Sequence, residues 1–375
     1  MGLEIADVFR RFGGDYRSRH GAAMPPSHRR ALDDIPRCRT PAMGGHRHRC
    51  ADCGKDVYVY HGCRNRSCPS CHAAQTREWL EARQAEILPC EHFHVTVTVP
   101  AALRDVFRRN QKVCYALLLK VAAGAVADLC RDPKHLGATP GLLAVLHTWT
   151  GRMDYHPHVH MLATAGGVSG DGKYWRSSQP GFLVPVRALS RLVRGRLRAA
   201  LAEKHPAFHA AVPAAAWREE WVANILPWGG GRDGVLAYLA RYVFRIALTS
   251  ARLVSMDDTH VVFKWKDRKQ NRWRTCRVTG EEFLRRFLQH VLPKGFHKVR
   301  YYGLWHFSRR VLAERARMLL SAEVVARPTG IPAASISGES VAMAPEPEGF
   351  RRCPHCGGNR LAFVEAIERV RNRSP

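Results

Sequence analysis

The chain has 375 residues, 46% of them hydrophobic, enough for one good-sized core with one or two small satellite modules. Fifty-nine basic against 32 acidic residues leave a formal charge of +27, spread from Arg10 to Arg373. That field favours a polyanion such as nucleic acid over a membrane surface, since no basic amphipathic helix stands apart from the rest. No run approaches the roughly eighteen apolar residues of a membrane span, and Met1 to Arg10 lacks the pattern of a secretory leader, so a cytoplasmic protein is expected.

In chain order, Ile5, Val8, Phe9 and Phe12 fall at helical spacing and predict a short helix, followed to about residue 37 by a basic stretch broken by Pro and Gly. Cys38, Cys50, Cys53, Cys63, Cys68 and Cys71 then crowd into 34 positions, which in a reducing compartment argues for metal rather than disulfides. Cys50-x2-Cys53 and Cys68-x2-Cys71 are two chelating knuckles whose four thiolates suit one tetrahedral Zn²⁺, a closed structural site. Reduced structural thiols or a redox pair are the alternative reading. Cys38, His46, His61 and Cys63 could complete a second zinc site, or the two histidines could lie on a basic loop. A helical run from Ala73 to Leu88 leads out of this region, which sets a first domain at residues 1–88.

The β-branched run from His92 to Val99 predicts a strand, with a helix from Leu103 to Cys130 after it. Leu142 to Thr150 and His156 to Thr164 read as two strands, Val186 to Lys204 and Gly234 to Ile246 as helices, and His260 to Trp265 with Arg272 to Val278 as a hairpin. Helices at Glu281 to Val291 and Leu304 to Leu320 complete the order, which implies an α+β domain with a central antiparallel sheet and flanking helices over residues 89–325. From Ala326 to Gly349 the composition turns to Pro, Ala, Ser, Gly and Glu, as in a flexible linker, and a short tail, residues 326–375 in all, carries Cys353 and Cys356. These two could be a metal half-site, a contact across a dimer, or a turn without metal.

His158 and His160 are two apart on a strand and so share a face, and His147 lies on the strand before them, where it could supply a third metal ligand or be a hydrogen-bonded core histidine. Tyr238 and Tyr242 are four apart in a segment without Pro, which puts both phenols on one helix face. Solvent-facing histidines and half-buried core tyrosines are the bland alternatives. The chemical alternative is that a phenolate beside a metal-bound phosphate displaces a DNA 3′ oxygen.

His147-Thr148-Trp149 with His156-Pro157-His158-Val159-His160, the tyrosine pair in YLARYV, the hairpin VFKWKD and the run FLQHVLPKGFHKVRYYG resemble rolling-circle transposases of the insertion-sequence-ninety-one type. The upstream CRTPAMGGHRHRC and YVYHGCRNRSCPSCH are similar to that family's zinc-binding domain, and the resemblance spans about residues 38 to 308. It implies an HUH nuclease domain preceded by a small zinc-binding domain, with His158 and His160 holding Mg²⁺ or Mn²⁺ and Tyr238 and Tyr242 as nucleophiles. The implied partner is single-stranded DNA at transposon ends and target, nicked through 5′-phosphotyrosine intermediates. Arg241, Arg245, Lys264, Lys266 and Arg268 are candidate phosphate contacts, and Trp265 and Trp273 candidate stacking platforms. A plasmid replication initiator or relaxase using the same chemistry, and a zinc-dependent DNA-binding protein without catalysis, are the competing expectations.

Overall fold

The apolar spacing at the N-terminus folds as the first helix, α1 (Ile5–His20), with Ile5, Val8, Phe9 and Phe12 all buried. The basic stretch after it is also helical rather than irregular. Pro26 opens α2 (Pro26–Arg37) at a position where a missing N–H costs nothing, and Ala31, Leu32 and Ile35 give it an apolar stripe. The computed structural model describes residues 2–71, 88–230, 246–267, 270–326 and 352–370, with Gly234, Val235, Tyr238, Tyr242 and Val243 between them. The helix expected over 73–87 and the linker expected over 327–349 lie outside the described residues.

Among the described residues, the strands in order are β1 (Gly45–Cys50), β2 (Asp56–Tyr60), β3 (Glu91–Thr98), β4 (Ala138–Trp149), β5 (Tyr155–Ser169), β6 (Trp175–Ser177) and β7 (Ala223–Gly230), then β8 (Leu253–Met256), β9 (His260–Asp267), β10 (Arg272–Thr279), β11 (Val299–Gly303) and β12 (Leu361–Ile367). Between them stand α3 (Arg104–Arg109), α4 (Gln111–Arg131), α5 (Val186–Lys204), α6 (Pro206–Ala210), α7 (Gly280–Leu288) and α8 (Arg310–Ala326). The chain divides into two units that interleave in sequence, one of residues 1–78, 248–291 and 338–375, the other of 79–247 and 292–337. This replaces the three consecutive segments expected, because the β8–β10 sheet and the tail group with the N-terminal residues.

The first unit holds two three-stranded antiparallel sheets, ordered β12–β1–β2 and β10–β9–β8. The tail strand β12 pairs along the whole of β1, from Gly45 opposite Ile367 to Cys50 opposite Leu361. Helix α7 begins with Thr279 accepting a bond from the Glu282 N–H at 3.2 Å, and its Phe287 meets Phe9 of α1 edge-on at 5.2 Å. Gly280 lies directly under the Phe12 ring, which a β-carbon would strike.

The second unit is built on an antiparallel sheet ordered β11–β4–β5–β3–β7, with β6 paired to β5. Alternation along the strands sends Val159, Met161 and Ala163 of β5 and Val95 and Val97 of β3 into the main core, with α4 and α5. The helix expected as one piece from Leu103 is interrupted at Asn110, whose φ of −126° and ψ of 44° separate α3 from α4. Helix α4 is long and apolar enough to cross a membrane, yet 61% of its most apolar stretch is buried inside this unit, and Tyr115, Leu118, Leu119, Ala122 and Val126 are core residues.

Candidate active site

The face of the β4–β5–β3 sheet opposite α4 carries the imidazoles. Register places His147 of β4 opposite His158 of β5, and His160 opposite Val145 on one side and Thr96 on the other. Period-two projection therefore gathers His147, His158 and His160 on one face, with one nitrogen of each within 4.8 Å of the others. All three are largely buried, at 3%, 9% and 8% exposure.

Their outer nitrogens are held so that the inner ones can face one ion. His158 Nδ1 donates to the His156 carbonyl at 2.7 Å, which makes Nε2 the nitrogen without the ring proton. His147 Nε2 donates to the Tyr242 carbonyl at 2.6 Å, which leaves Nδ1. His160 Nδ1 lies 2.9 Å from His94 Nε2 and 3.2 Å from Thr96 Oγ1. For His160 to present Nε2 to a metal, its Nδ1–H donates to one of these two. Three imidazoles converging on one point are a donor set that could hold a divalent metal ion.

The tyrosines complete this face. Gly234, Val235 and Tyr238 are α-helical, while Tyr242 and Val243 lie in a wider π-helical turn of a kind often found at functional sites. The Tyr242 ring centroid is 4.4 Å from that of His160 and 4.9 Å from that of Tyr238. Leu143, Val145, Leu162, Val235 and Val243 pack around the pair. Tyr238 is fully buried, and its hydroxyl has no hydrogen-bond partner. Burial, with the neighbouring Tyr242 adding to it, pushes the Tyr238 phenol well above its ordinary value. Leaving such a hydroxyl unpaired costs about 1–3 kcal/mol, a deficit that a phosphate oxygen or an ordered ligand would relieve.

Two residues of this site went unrecognised in the sequence. His94 of β3 touches His160 and lies tilted against Tyr242 with centroids 4.6 Å apart, and Trp228 of β7 meets both tyrosines at 5.6 Å. The pattern His92-Phe93-His94 on a strand was the available signal for the first, since it repeats the spacing of His158 and His160. Arg241, Arg245 and Arg268 lie outside the described residues.

The cysteines are partitioned differently from expectation. Cys68 and Cys71 join Cys38 and Cys63, with Cys38 Sγ and Cys63 Sγ 3.4 and 3.7 Å from Cys71 Sγ. Cys50 and Cys53 instead meet Cys353 and Cys356. His46 and His61 belong to neither group and pack ring against ring, 4.9 Å apart. The reason is topological: knuckle spacing fixes which two thiols act together but not which knuckles meet. Bonds from the Cys38, Cys63 and Cys68 thiols pull Cys71 far below its ordinary value. At Cys353 desolvation pushes upward, but the N–H groups of His355 and Cys356 together with bonds to Cys53 and Cys50 bring the thiol to about 7.

The expected contact trio on β9 is split by strand parity. Trp265 falls on the side of Val261 and Phe263, both buried, whereas Lys264 and Lys266 fall on the other side with Trp273, which is paired opposite Lys266. Trp273 is 58% exposed, and the Lys264 ammonium stands 5.9 Å from its ring centroid.

Comparison with known proteins finds two family matches and two curated relatives. Residues 141–312 match the family described as putative transposase, and residues 8–99 match the transposase zinc-binding domain. The chain is 36% identical to the putative transposase y4qJ of Sinorhizobium fredii, over 98% of this chain and 96% of that one. It is 26% identical to the transposase for insertion sequence element IS801 of Pseudomonas savastanoi pv. phaseolicola, over 88% of this chain and 82% of the other. No solved structure matches it.

Proposed function

The chain belongs to the insertion-sequence-ninety-one type of transposases, with an N-terminal zinc-binding domain, and from that premise we propose that it transposes by nicking single-stranded DNA through paired tyrosines, the rolling-circle chemistry of an HUH nuclease. The observation that carries the reading is a pair of tyrosines beside a three-imidazole cluster on one sheet face, Tyr242 lying 4.4 Å from His160 and 4.9 Å from Tyr238.

His158, His160 and His147 would hold Mn²⁺ or Mg²⁺, which when bound neutralises charge on the scissile phosphate. The chain's own residues do the rest. The walls of Leu143, Val145 and Leu162 exclude water and so protect a phosphotyrosine from hydrolysis. One tyrosine loses its phenolic proton, its oxygen bonds to phosphorus, and the bond to the 3′ oxygen breaks, that oxygen leaving protonated. The phosphodiester energy is kept in the phosphotyrosine, and the second tyrosine can open another strand while the first is occupied. The two thiolate groups give the zinc-binding domain its donors, and Cys38, Cys63, Cys68 and Cys71 form a closed tetrahedral set suited to a structural ion.

Covalent adducts on labelled single-stranded oligonucleotides test the mechanism. Tyr238→Phe or Tyr242→Phe alone should keep some adduct but lose complete strand exchange, and the double variant should form none. A folded double variant that still cleaves would end the two-tyrosine mechanism.

A further inference from the structure

We propose that Cys50, Cys53, Cys353 and Cys356 hold a second zinc ion, which fastens the C-terminal tail to the N-terminal zinc-binding domain. The four thiol sulfurs all lie within 4.8 Å of one another, with Cys50 to Cys356 and Cys53 to Cys353 each at 3.7 Å. Sulfurs at about 2.3 Å from a tetrahedral Zn²⁺ are about 3.8 Å apart, whereas a disulfide requires about 2.05 Å. The two 3.7 Å separations therefore match edges of a coordination tetrahedron whose corners the four sulfurs would occupy.

The two halves of the site are built alike, although they lie 300 residues apart. In each, a glycine follows the second cysteine with positive φ, +71° at Gly54 and +75° at Gly357, and its N–H bonds the carbonyl of the first cysteine at 2.8 Å. This is the tight chelating turn of a metal knuckle, made twice. Around the tail knuckle, the His355 N–H points at Cys353 Sγ and the Gly358 N–H at Cys356 Sγ, both at 3.4 Å, which favours thiolates over thiols. Cys50 and Cys353 are buried, Cys53 is half-buried and Cys356 is exposed at the edge of the group.

The surrounding chain is tied in the same place. The Ala51 N–H bonds Arg360 O at 2.9 Å, Arg360 pairs with Asp52 at 2.6 Å, and β12 runs antiparallel to β1 directly beyond the knuckles. The tail cysteines lie outside both family matches, 8–99 and 141–312, so half of this site comes from a segment that neither match covers. Binding exchanges thiol protons, released to solvent, for metal–sulfur bonds and involves no redox step.

Elemental analysis of the full chain, purified with reductant, should give two zinc per chain, and Cys353→Ser with Cys356→Ser should give one. Hydrogen exchange should then quicken at residues 45–50 and 361–367 while α1 stays protected. Cobalt titration of the unmodified protein provides a measure independent of how the variant folds: the thiolate-to-metal absorption should saturate at two equivalents. Saturation at one equivalent, two zinc retained by a folded double variant, or Cys50–Cys356 and Cys53–Cys353 disulfides in the reductant-free protein would overturn the proposal.

Discussion

At Tyr238 stability and the proposed nucleophilic role pull in opposite directions. Its hydroxyl is buried without a partner, so removing it relieves an unmet hydrogen bond. Tyr238→Phe should melt at the same temperature as the parent or slightly above it, by up to about 1 kcal/mol, while strand transfer falls. A packing role alone predicts unchanged transfer, so melting curves beside transfer assays separate the two. His94 makes the second case, because it stands 2.9 Å from His160 Nδ1, where it can accept from that nitrogen and so orient the ring. His94→Ala should weaken Mn²⁺ binding by about tenfold or more in calorimetry, in line with the loss of an outer partner of a ligand. His94→Gln, which keeps an acceptor, should recover part of it, and equal affinities in all three proteins would remove His94 from the site. His147 is tested in the same titration: its ligand role requires that His147→Ala lower the affinity further.

At the scale of elements, β11 fixes the edge of the sheet beside β4, and its end depends on Gly303. That residue has φ of +60°, and a β-carbon there would collide with the Pro140 carbonyl. Gly303→Ala should therefore cost at least about 2 kcal/mol in denaturant unfolding, from strain and collision together, and a loss below about 0.5 kcal/mol would show that the turn can relax. How much of the fold was legible follows from the range of each signal. The helix expected over Val186 to Lys204 and the strands holding His147, His158 and His160 were readable because their apolar period is local and uninterrupted. Strand β12 was not, because its partner β1 lies some three hundred residues away and pairing at that distance leaves no local trace. The same distance hid the partition of the cysteines. Trp265 and Trp273 were both expected as stacking platforms but fall on opposite faces, because strand parity, counted from the buried Phe263, decides which ring faces outward, and only the observed register shows which face is covered.

For the molecule as a whole, a formal charge of +27 implies that DNA binding releases counterions and weakens with salt. The logarithm of the binding constant for single-stranded DNA should fall linearly with the logarithm of salt concentration, with a slope of about −0.7 for each phosphate contacted. Lys264 and Lys266 share a face with the exposed Trp273, and this arrangement allows charge and stacking to be measured separately. Replacing both lysines with Gln should make the slope shallower by about 1.4, two contacts at about 0.7 each. Trp273→Ala should instead lower affinity at every salt concentration, by about 1–3 kcal/mol if one base stacks on it, and leave the slope unchanged. Fluorescence anisotropy with a labelled oligonucleotide from about 50 to 200 mM salt reads both quantities at once. Parallel lines for the parent and the lysine variant would mean that this face of the hairpin does not meet DNA, and that the charge acting on the strand lies elsewhere on the molecule.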